Sequence, residues 1–214
     1  MQHHAVLQLS GPTPRHTQAA GPILVVGPGT GLGAAVWIDA KPRPIVLATE
    51  AGQVALASID EKKLQLLRIL LRGRHYLPIE YVLSGPGLLN LYNAVCELHA
   101  VPPRHRLPAA ITHAALHEDD AVARDCLHTF CAVLGSAVGD MALAYGAARG
   151  IYLAGGILPT IGQFLASSAF RERFLAKGNM RAVLERIPVK LVERGQLGVL
   201  GAATWYLQQR AEVS

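Results

Sequence analysis

The stretch Gly27–Gly33 is the part of the sequence best suited to bind a phosphate group. It places four glycines in seven positions, directly after the aliphatic run Ile23–Val26. Because a glycine has no Cβ, its backbone N–H can approach phosphate oxygens closely, and Thr30 adds a hydroxyl. Two folds use such a loop: the dinucleotide-binding fold, and an ATP-binding fold in which the loop is the tip of a hairpin.

The dinucleotide interpretation fits the letters of Gly29–Ala34 but not the elements around them. Glu50 stands about where an acid that binds a ribose would be expected. That motif requires a helix immediately after the glycines, because the helix N-terminus binds the pyrophosphate. Here Ala34–Ile38 is too short for such a helix, and Pro42 and Pro44 would break an extension of it. The sequence therefore favours a strand, a glycine loop and a returning strand.

The remaining elements predict an α/β fold that positions this loop. Short apolar runs predict strands at 23–26, 34–38, 44–49, 151–154 and 189–192. Apolar periodicity predicts helices at 60–72, 88–99, 118–146 and 196–210, of which 118–146 is expected to be buried. Residues 9–22 are rich in Pro, Gly, Ser and Thr and predict a loop or linker. Short strands followed by alternating helices and strands indicate an α/β layer fold.

Five blocks of the sequence together resemble the bacterial glucokinases of the hexokinase and actin-like ATPase superfamily. The blocks are VVGPGTGLGAA, EAGQVALA, EYVLSGPGLLNLY, IYLAGGILP and GQLGVLGAA, in the family's order from about residue 21 onward. The resemblance implies a ribonuclease H-like large domain over 21–214: a mixed sheet with a β-hairpin phosphate loop, packed by helices. Residues 1–20 would be a linker or a remnant of the small domain.

The same resemblance implies an activity and its ligands. It implies ATP- and Mg²⁺-dependent phosphorylation of glucose, or a related hexose, at the 6-hydroxyl, the first step of glycolysis, by a homodimer. Gly29, Thr30 and Gly31 look like the second phosphate loop, and Gly155 and Gly156 like the adenosine loop. We expect both loops to lie at one cleft.

Three polar residues match the family's sugar-binding positions. Glu50 and Glu80 look like the two glutamates that hold sugar hydroxyls, a task that suits carboxylates because each accepts several hydrogen bonds. Gln53 stands where many members have a histidine, so it can still contact a hydroxyl but cannot titrate. We expect these three side chains to converge on one pocket.

Two catalytic motifs of glucokinases are absent from this sequence. The family's base is the aspartate of an Asn-Asp pair, and its first phosphate loop is Asp-x-Gly-Gly-Thr; the chain contains neither. We therefore expect no catalytic base and no metal ligand in this chain, which resembles the larger, C-terminal part of a glucokinase without its small domain. Either a longer chain or a partner completes a phosphotransferase, or the chain is a non-catalytic binding module. Asp140, inside the long apolar helix, is expected to be a capped or paired buried acid.

Composition excludes several other classes of function. The chain is 51% hydrophobic and 16% charged, which argues against disorder. Its net charge of +5 comes from scattered basic residues, so a solvated surface is favoured over a nucleic-acid site. We expect no membrane span, because apolar stretches are interrupted by polar residues. The three cysteines, Cys96, Cys126 and Cys131, are expected to be small core residues. Their small number and wide spacing indicate a cytoplasmic protein.

Overall fold

The protein is built around a six-stranded mixed sheet. The computed structural model describes residues 6–12, 20–57 and 61–192. The strands are β1 Val6–Ser10, β2 Ile23–Pro28, β3 Leu32–Ile38, β4 Ile45–Thr49, β5 Gly150–Leu153 and β6 Val189–Val192. Their spatial order is β1-β6-β5-β2-β3-β4. Strand β5 runs parallel to both β2 and β6, whereas the other neighbouring pairs are antiparallel. The predicted α/β fold with a mixed sheet is confirmed.

Seven α-helices accompany the sheet in the described part of the chain. They are α1 Glu61–Leu70, α2 Gly85–Leu98, α3 Pro108–His117, α4 Ala121–Ala144, α5 Gly162–Ser167, α6 Phe170–Leu175 and α7 Arg181–Leu184. Three short 3-10 helices occur at Ala51–Gln53, Ile79–Tyr81 and Gly178–Met180. The first two of these carry the polar residues that the sequence singled out.

Helix α4 is the central helix of the core, as the apolar sequence predicted. It is long and apolar enough to cross a membrane by composition, but 78% of its most apolar window is buried inside the protein. It packs against α2, α3 and α6. On the sheet, Leu24, Val26 and Leu153 are fully buried. We conclude that α4 owes its apolar character to its place in the core.

The structure differs from the sequence-based expectations at several element boundaries. The loop expected over 9–22 is wrong at its start, because Leu9 and Ser10 are buried residues of β1, which pairs with β6. Strand β1 therefore belongs to the same six-stranded sheet as β2 to β6. Helix α2 begins three residues earlier than expected, at Gly85, because the Ser84 hydroxyl accepts the N–H of Gly87. The expected helix 196–210 and the block GQLGVLGAA lie outside the described residues.

Candidate functional site

The glycine loop forms the tip of a β-hairpin. Pro28 pairs with Leu32 at the end of an antiparallel ladder, so Gly29, Thr30 and Gly31 make the turn between β2 and β3. The hairpin is thus confirmed, and the dinucleotide alternative is wrong, because a strand rather than a helix follows the glycines. Thr30 is exposed at the tip.

Parallel pairing of β2 with β5 places the second glycine loop beside the first. Parallel strands end at the same edge of a sheet, and Val26 pairs with Leu153 just before both loops begin. Gly155 has a φ of +109°, and a Cβ there would overlap the Pro28 carbonyl oxygen. A side chain at this position is therefore disfavoured by conformation and by contact. By contrast, a Cβ at Gly29 or at Gly156 would meet no atom within 4 Å.

A cleft of about 410 Å³ continues from Gly156 toward α3. Its lining is mainly apolar with two histidines at the rim: Leu88, Pro108, Ala109, Thr112, His113, Leu116, His117, Gly156, Ile157 and Thr160. The rings of His113 and His117 lie 5.1 Å apart, and His113 Nδ1 is 3.1 Å from Glu118 Oε1. Sequence reasoning missed this cleft because it did not predict α3, although Pro108 is a typical first residue of a helix.

Two of the three sugar-site candidates are in direct contact. Gln53 Nε2 donates to Glu80 Oε1 across 3.2 Å. The two 3-10 turns that carry them are joined by backbone hydrogen bonds, among them Ile79 N–H to the Val54 carbonyl at 2.8 Å. Glu50 directly precedes the first turn, and its carbonyl accepts the N–H of Gln53 at 2.9 Å. The structure thus gathers all three residues on neighbouring turns; their sugar-binding role stays a prediction.

Glu80 also reaches the glycine hairpin, a contact that sequence reasoning did not foresee. Its Oε2 accepts the backbone N–H of Leu32 at 2.8 Å. On the other side of the tip, Gly85 N–H donates to the Gly29 carbonyl at 2.7 Å. The hairpin and the two polar turns therefore belong to one hydrogen-bonded unit.

The aspartates that the structure describes lie outside the hairpin and the two polar turns, and they have basic partners there. Asp140 is paired, as expected, but it is not buried: Lys177 Nζ lies 2.6 Å from its Oδ1, and its side chain is 58% exposed. Asp39 pairs with Arg149 at the far end of β3 from the hairpin tip. Asp140 thus belongs to a surface ion pair.

Two further aspartates are held near the ends of α2 and α4. Partial burial acts to raise the pKa of Asp120, but the Ala123 amide and His105 bind its carboxylate and lower the pKa below its ordinary value. Asp125 also has a lowered pKa: burial opposes the shift, and Lys62 and His99 outweigh it. Both carboxylates therefore stabilise helix packing as anions.

Residues that commonly bind metals do not cluster in the described part of the chain. No group of three or more His, Cys, Asp or Glu side chains there could hold a metal ion. The three cysteines are free and buried, as the sequence suggested. Burial raises the pKa of the Cys131 thiol to about 12.

Comparison with known proteins identifies the family. The family model described as Glucokinase matches residues 1–209. The chain belongs to the glucokinase family. The glucokinase-like protein of Xylella fastidiosa (strain Temecula1) is 52% identical over 211 residues, which cover 99% of this chain and 62% of that protein. The chain therefore spans less than two thirds of the length of this curated relative.

Solved structures share the fold of this chain. A glucokinase from an Antarctic psychrotroph matches with a TM-score of 0.84 and 35% identity, over 92% of this chain and 61% of that one. The fold is also shared with a Balamuthia mandrillaris glucokinase solved in complex with glucose, with a TM-score of 0.79 and 22% identity over 89% and 55% of the two chains. The likeness to these structures supports the expected actin-like ATPase fold.

Proposed function

We propose that this chain carries the nucleotide- and sugar-binding parts of a glucokinase-type phosphotransferase, which transfers the terminal phosphoryl group of ATP to the 6-hydroxyl of glucose. One observation carries the proposal. The hairpin Gly29–Gly31 and the loop Gly155–Gly156 share one edge of the sheet, and Glu80 is bonded directly to that hairpin. Phosphoryl transfer depends mainly on positioning two substrates and on stabilising charge. The two glycine loops and Glu80 lie close enough together to position both substrates.

The two glycine loops fit a bound ATP. Space beside Gly29 and Gly156 is open, so phosphate groups can approach both loops. The mainly apolar cleft along α3 begins at Gly156 and suits a planar base. The described residues do not form a metal site by themselves. In this proposal Mg²⁺ would bind together with ATP, through phosphate oxygens of the nucleotide, as is common for this ion.

Glu50, Gln53 and Glu80 are the residues that we propose for the sugar. Carboxylates and an amide can bind several neighbouring hydroxyls, and these three lie on joined turns next to the hairpin. Glucose is present in the Balamuthia mandrillaris structure. The proposed substrate class is glucose or a related hexose.

A non-catalytic sugar- or nucleotide-binding module is the second candidate function. It is favoured by the placement of the acids: Asp39, Asp120, Asp125 and Asp140 each have a partner that lies outside the hairpin and the two polar turns. A phosphotransferase needs a base at the attacking hydroxyl. On this hypothesis the chain binds ligands and transfers nothing.

The proposal extends to the setting of the protein. We propose a cytoplasmic homodimer that acts on small molecules, with neither a nucleic acid nor a membrane as partner. The scattered basic residues and the three buried free cysteines support this setting.

Binding to the purified chain tests the proposed function. Isothermal titration calorimetry with the non-hydrolysable ATP analogue AMPPNP and, separately, with glucose should show saturable binding of each. Ala109→Trp fills the α3 cleft and should weaken AMPPNP binding at least tenfold while leaving glucose binding intact. Ala144→Trp, at an exposed alanine at the end of α4, is the matched control and should bind both ligands normally. Absence of binding of both ligands would contradict the proposal.

A further inference from the structure

The carboxylate of Glu80 lies between the phosphate hairpin and the turn that carries Gln53. Its Oε2 accepts the N–H of Leu32 at 2.8 Å, and its Oε1 accepts the amide of Gln53 at 3.2 Å. Leu32 is the first residue of β3, directly after the hairpin tip. One half-buried side chain therefore touches both the proposed sugar side and the proposed nucleotide side.

The Glu80 carboxylate fits into its position because residues 31 and 52 are glycines. A Cβ at Gly31 would lie 2.5 Å from Glu80 Oε2 and 3.1 Å from its Cδ. A Cβ at Gly52 would lie 3.4 Å from the same Oε2 and 2.5 Å from the Leu32 carbonyl oxygen. The Glu80 side chain is thus confined by the backbone of the hairpin on one side and of the 3-10 turn on the other.

The segment that carries Glu80 holds the hairpin tip at both of its ends. The carboxylate accepts the N–H of Leu32, directly after the tip, and the Gly85 N–H donates to the carbonyl of Gly29, the first residue of the tip, at 2.7 Å. Ser84 ties these two contacts together, because its hydroxyl donates to the Glu80 carbonyl at 2.9 Å and accepts the N–H of Gly87. Glu80 and the residues that follow it are therefore joined to the tip by direct hydrogen bonds.

We infer that Glu80 is a positioning residue through which sugar binding sets the position of the phosphate hairpin. This inference rests on the proposed function for the identity of the two ligands and adds an energetic link between their sites. An ionised carboxylate accepts about four hydrogen bonds, so a sugar hydroxyl can bind Oε1 while Oε2 keeps Leu32. A bound sugar restricts the Glu80 rotamers, which holds the hairpin ready for phosphates. By reciprocity, each ligand strengthens the binding of the other by the same factor.

The coupling is measurable as the ratio of AMPPNP dissociation constants without and with saturating glucose. For the wild-type chain we expect glucose to tighten AMPPNP binding by about fivefold or more. In Glu80→Gln the ratio should fall close to one, because an amide cannot accept from both neighbours at once. Glu97→Gln removes an exposed acid of α2 that pairs with Arg72, and as the matched control it should keep the wild-type ratio.

A second variant separates coupling from sugar contact. Gly31→Ala displaces the Glu80 carboxylate from the hairpin but leaves the chemical identity of Glu50, Gln53 and Glu80 unchanged. It should keep measurable glucose binding and lose the coupling. A Gly31→Ala chain with the full wild-type ratio would overturn the inference, even if Glu80→Gln no longer binds glucose.

The Leu32 amide gives a readout that does not depend on AMPPNP. Its ¹H–¹⁵N resonance should shift when glucose is added to the wild-type chain and stay in place in Gly31→Ala. If Glu80 had only a structural role, Gly31→Ala would lower the melting temperature but would keep the shift of the Leu32 resonance on addition of glucose. Independent binding of both ligands to the wild-type chain overturns the inference and leaves the proposed function intact. Absence of glucose binding overturns the inference, and absence of binding of both ligands overturns the proposed function as well.

Discussion

Gly31 lies directly against the carboxylate of Glu80, 49 positions later in the sequence, and a Cβ at Gly31 would come within 2.5 Å of Oε2. Because the obstructing atom is the end of a side chain, Gly31→Ala should be accommodated by a shift of Glu80 and loss of its bond to Leu32. A hydrogen bond to a charged group contributes about 1.5–3 kcal/mol, so we expect the free energy of unfolding to fall by about that amount. Urea denaturation measures it.

Gly33→Ala is the control for this prediction. A Cβ at Gly33 would have its nearest neighbour, the Gly27 carbonyl oxygen, at 3.9 Å, and Gly33 is exposed in the same hairpin. We expect its free energy of unfolding to stay within about 0.5 kcal/mol of the wild type. Equal losses in the two variants would show that the hairpin backbone, and not the contact with Glu80, governs the effect.

The crossing of α4 and α6 depends on Gly135. A Cβ there would overlap the Phe170 carbonyl oxygen, which belongs to the backbone and cannot rotate away. We expect Gly135→Ala to destabilise the protein by about 1–3 kcal/mol through overpacking, measured by urea denaturation.

The neighbouring Ser136→Ala substitution is the matched control for the helix crossing. The Ser136 hydroxyl is buried and has no hydrogen-bond partner among the described residues. Its removal should leave the free energy of unfolding unchanged or raise it slightly, because an unsatisfied buried hydroxyl costs free energy. A loss as large as that of Gly135→Ala would contradict the packing argument.

The sequence predicted the elements whose signals are local and missed the relationships that depend on tertiary packing. The hairpin could be predicted because the glycine run is followed by prolines that exclude a helix. Helices α5 and α6, of six residues each, are too short to show a clear apolar period. The bond between Glu80 and Leu32 joins residues 48 positions apart and depends on a rotamer, so no local pattern could indicate it. Asp140 was expected to be buried because its neighbours are apolar, yet it lies on the exposed side of α4.

Asp120 should make the stability of the protein depend on pH in the acid range. Its pKa is lowered in the folded state, since the Ala123 amide and His105 outweigh the opposing effect of burial. A carboxyl with a lowered folded pKa stabilises the protein above its unfolded pKa of about 4, and that contribution is lost as pH falls through the folded value. Asp120→Asn keeps a good helix N-cap but cannot titrate. Its stability deficit relative to the wild type should therefore shrink between about pH 6 and pH 3.

Asp119→Asn is the control for the pH prediction. Asp119 directly precedes Asp120 but is fully exposed, and its carboxylate lies 4.0 Å from Arg124. Denaturant titrations at several pH values should give this variant the same acid slope as the wild type. A deficit of Asp120→Asn that stays constant with pH would contradict the assigned role of the Asp120 carboxylate.

The cysteines should be unreactive in the folded protein. Burial raises the pKa of Cys131 to about 12 and that of Cys126 well above its ordinary value, so little thiolate is present. Cys96 is also buried, with a raised pKa. We expect Ellman's reagent at pH 8 to modify none of the three thiols within minutes and all three in strong denaturant. Rapid modification of a thiol in the folded protein would show that the helix core opens readily.

The final prediction concerns catalysis by the 214-residue chain. It should not phosphorylate glucose at an enzymatic rate, because the sequence has neither Asn-Asp nor Asp-x-Gly-Gly-Thr. Loss of a general base alone costs about 10²–10⁴-fold in rate, and loss of part of the phosphate cradle adds to it. A coupled assay on the purified chain, with a full-length glucokinase as control, measures the difference. Turnover within about tenfold of that control would mean that an acid of this chain serves as the base. Asp140→Asn would then be the first variant to assay, although the Lys177 contact and the exposure of Asp140 argue against that role.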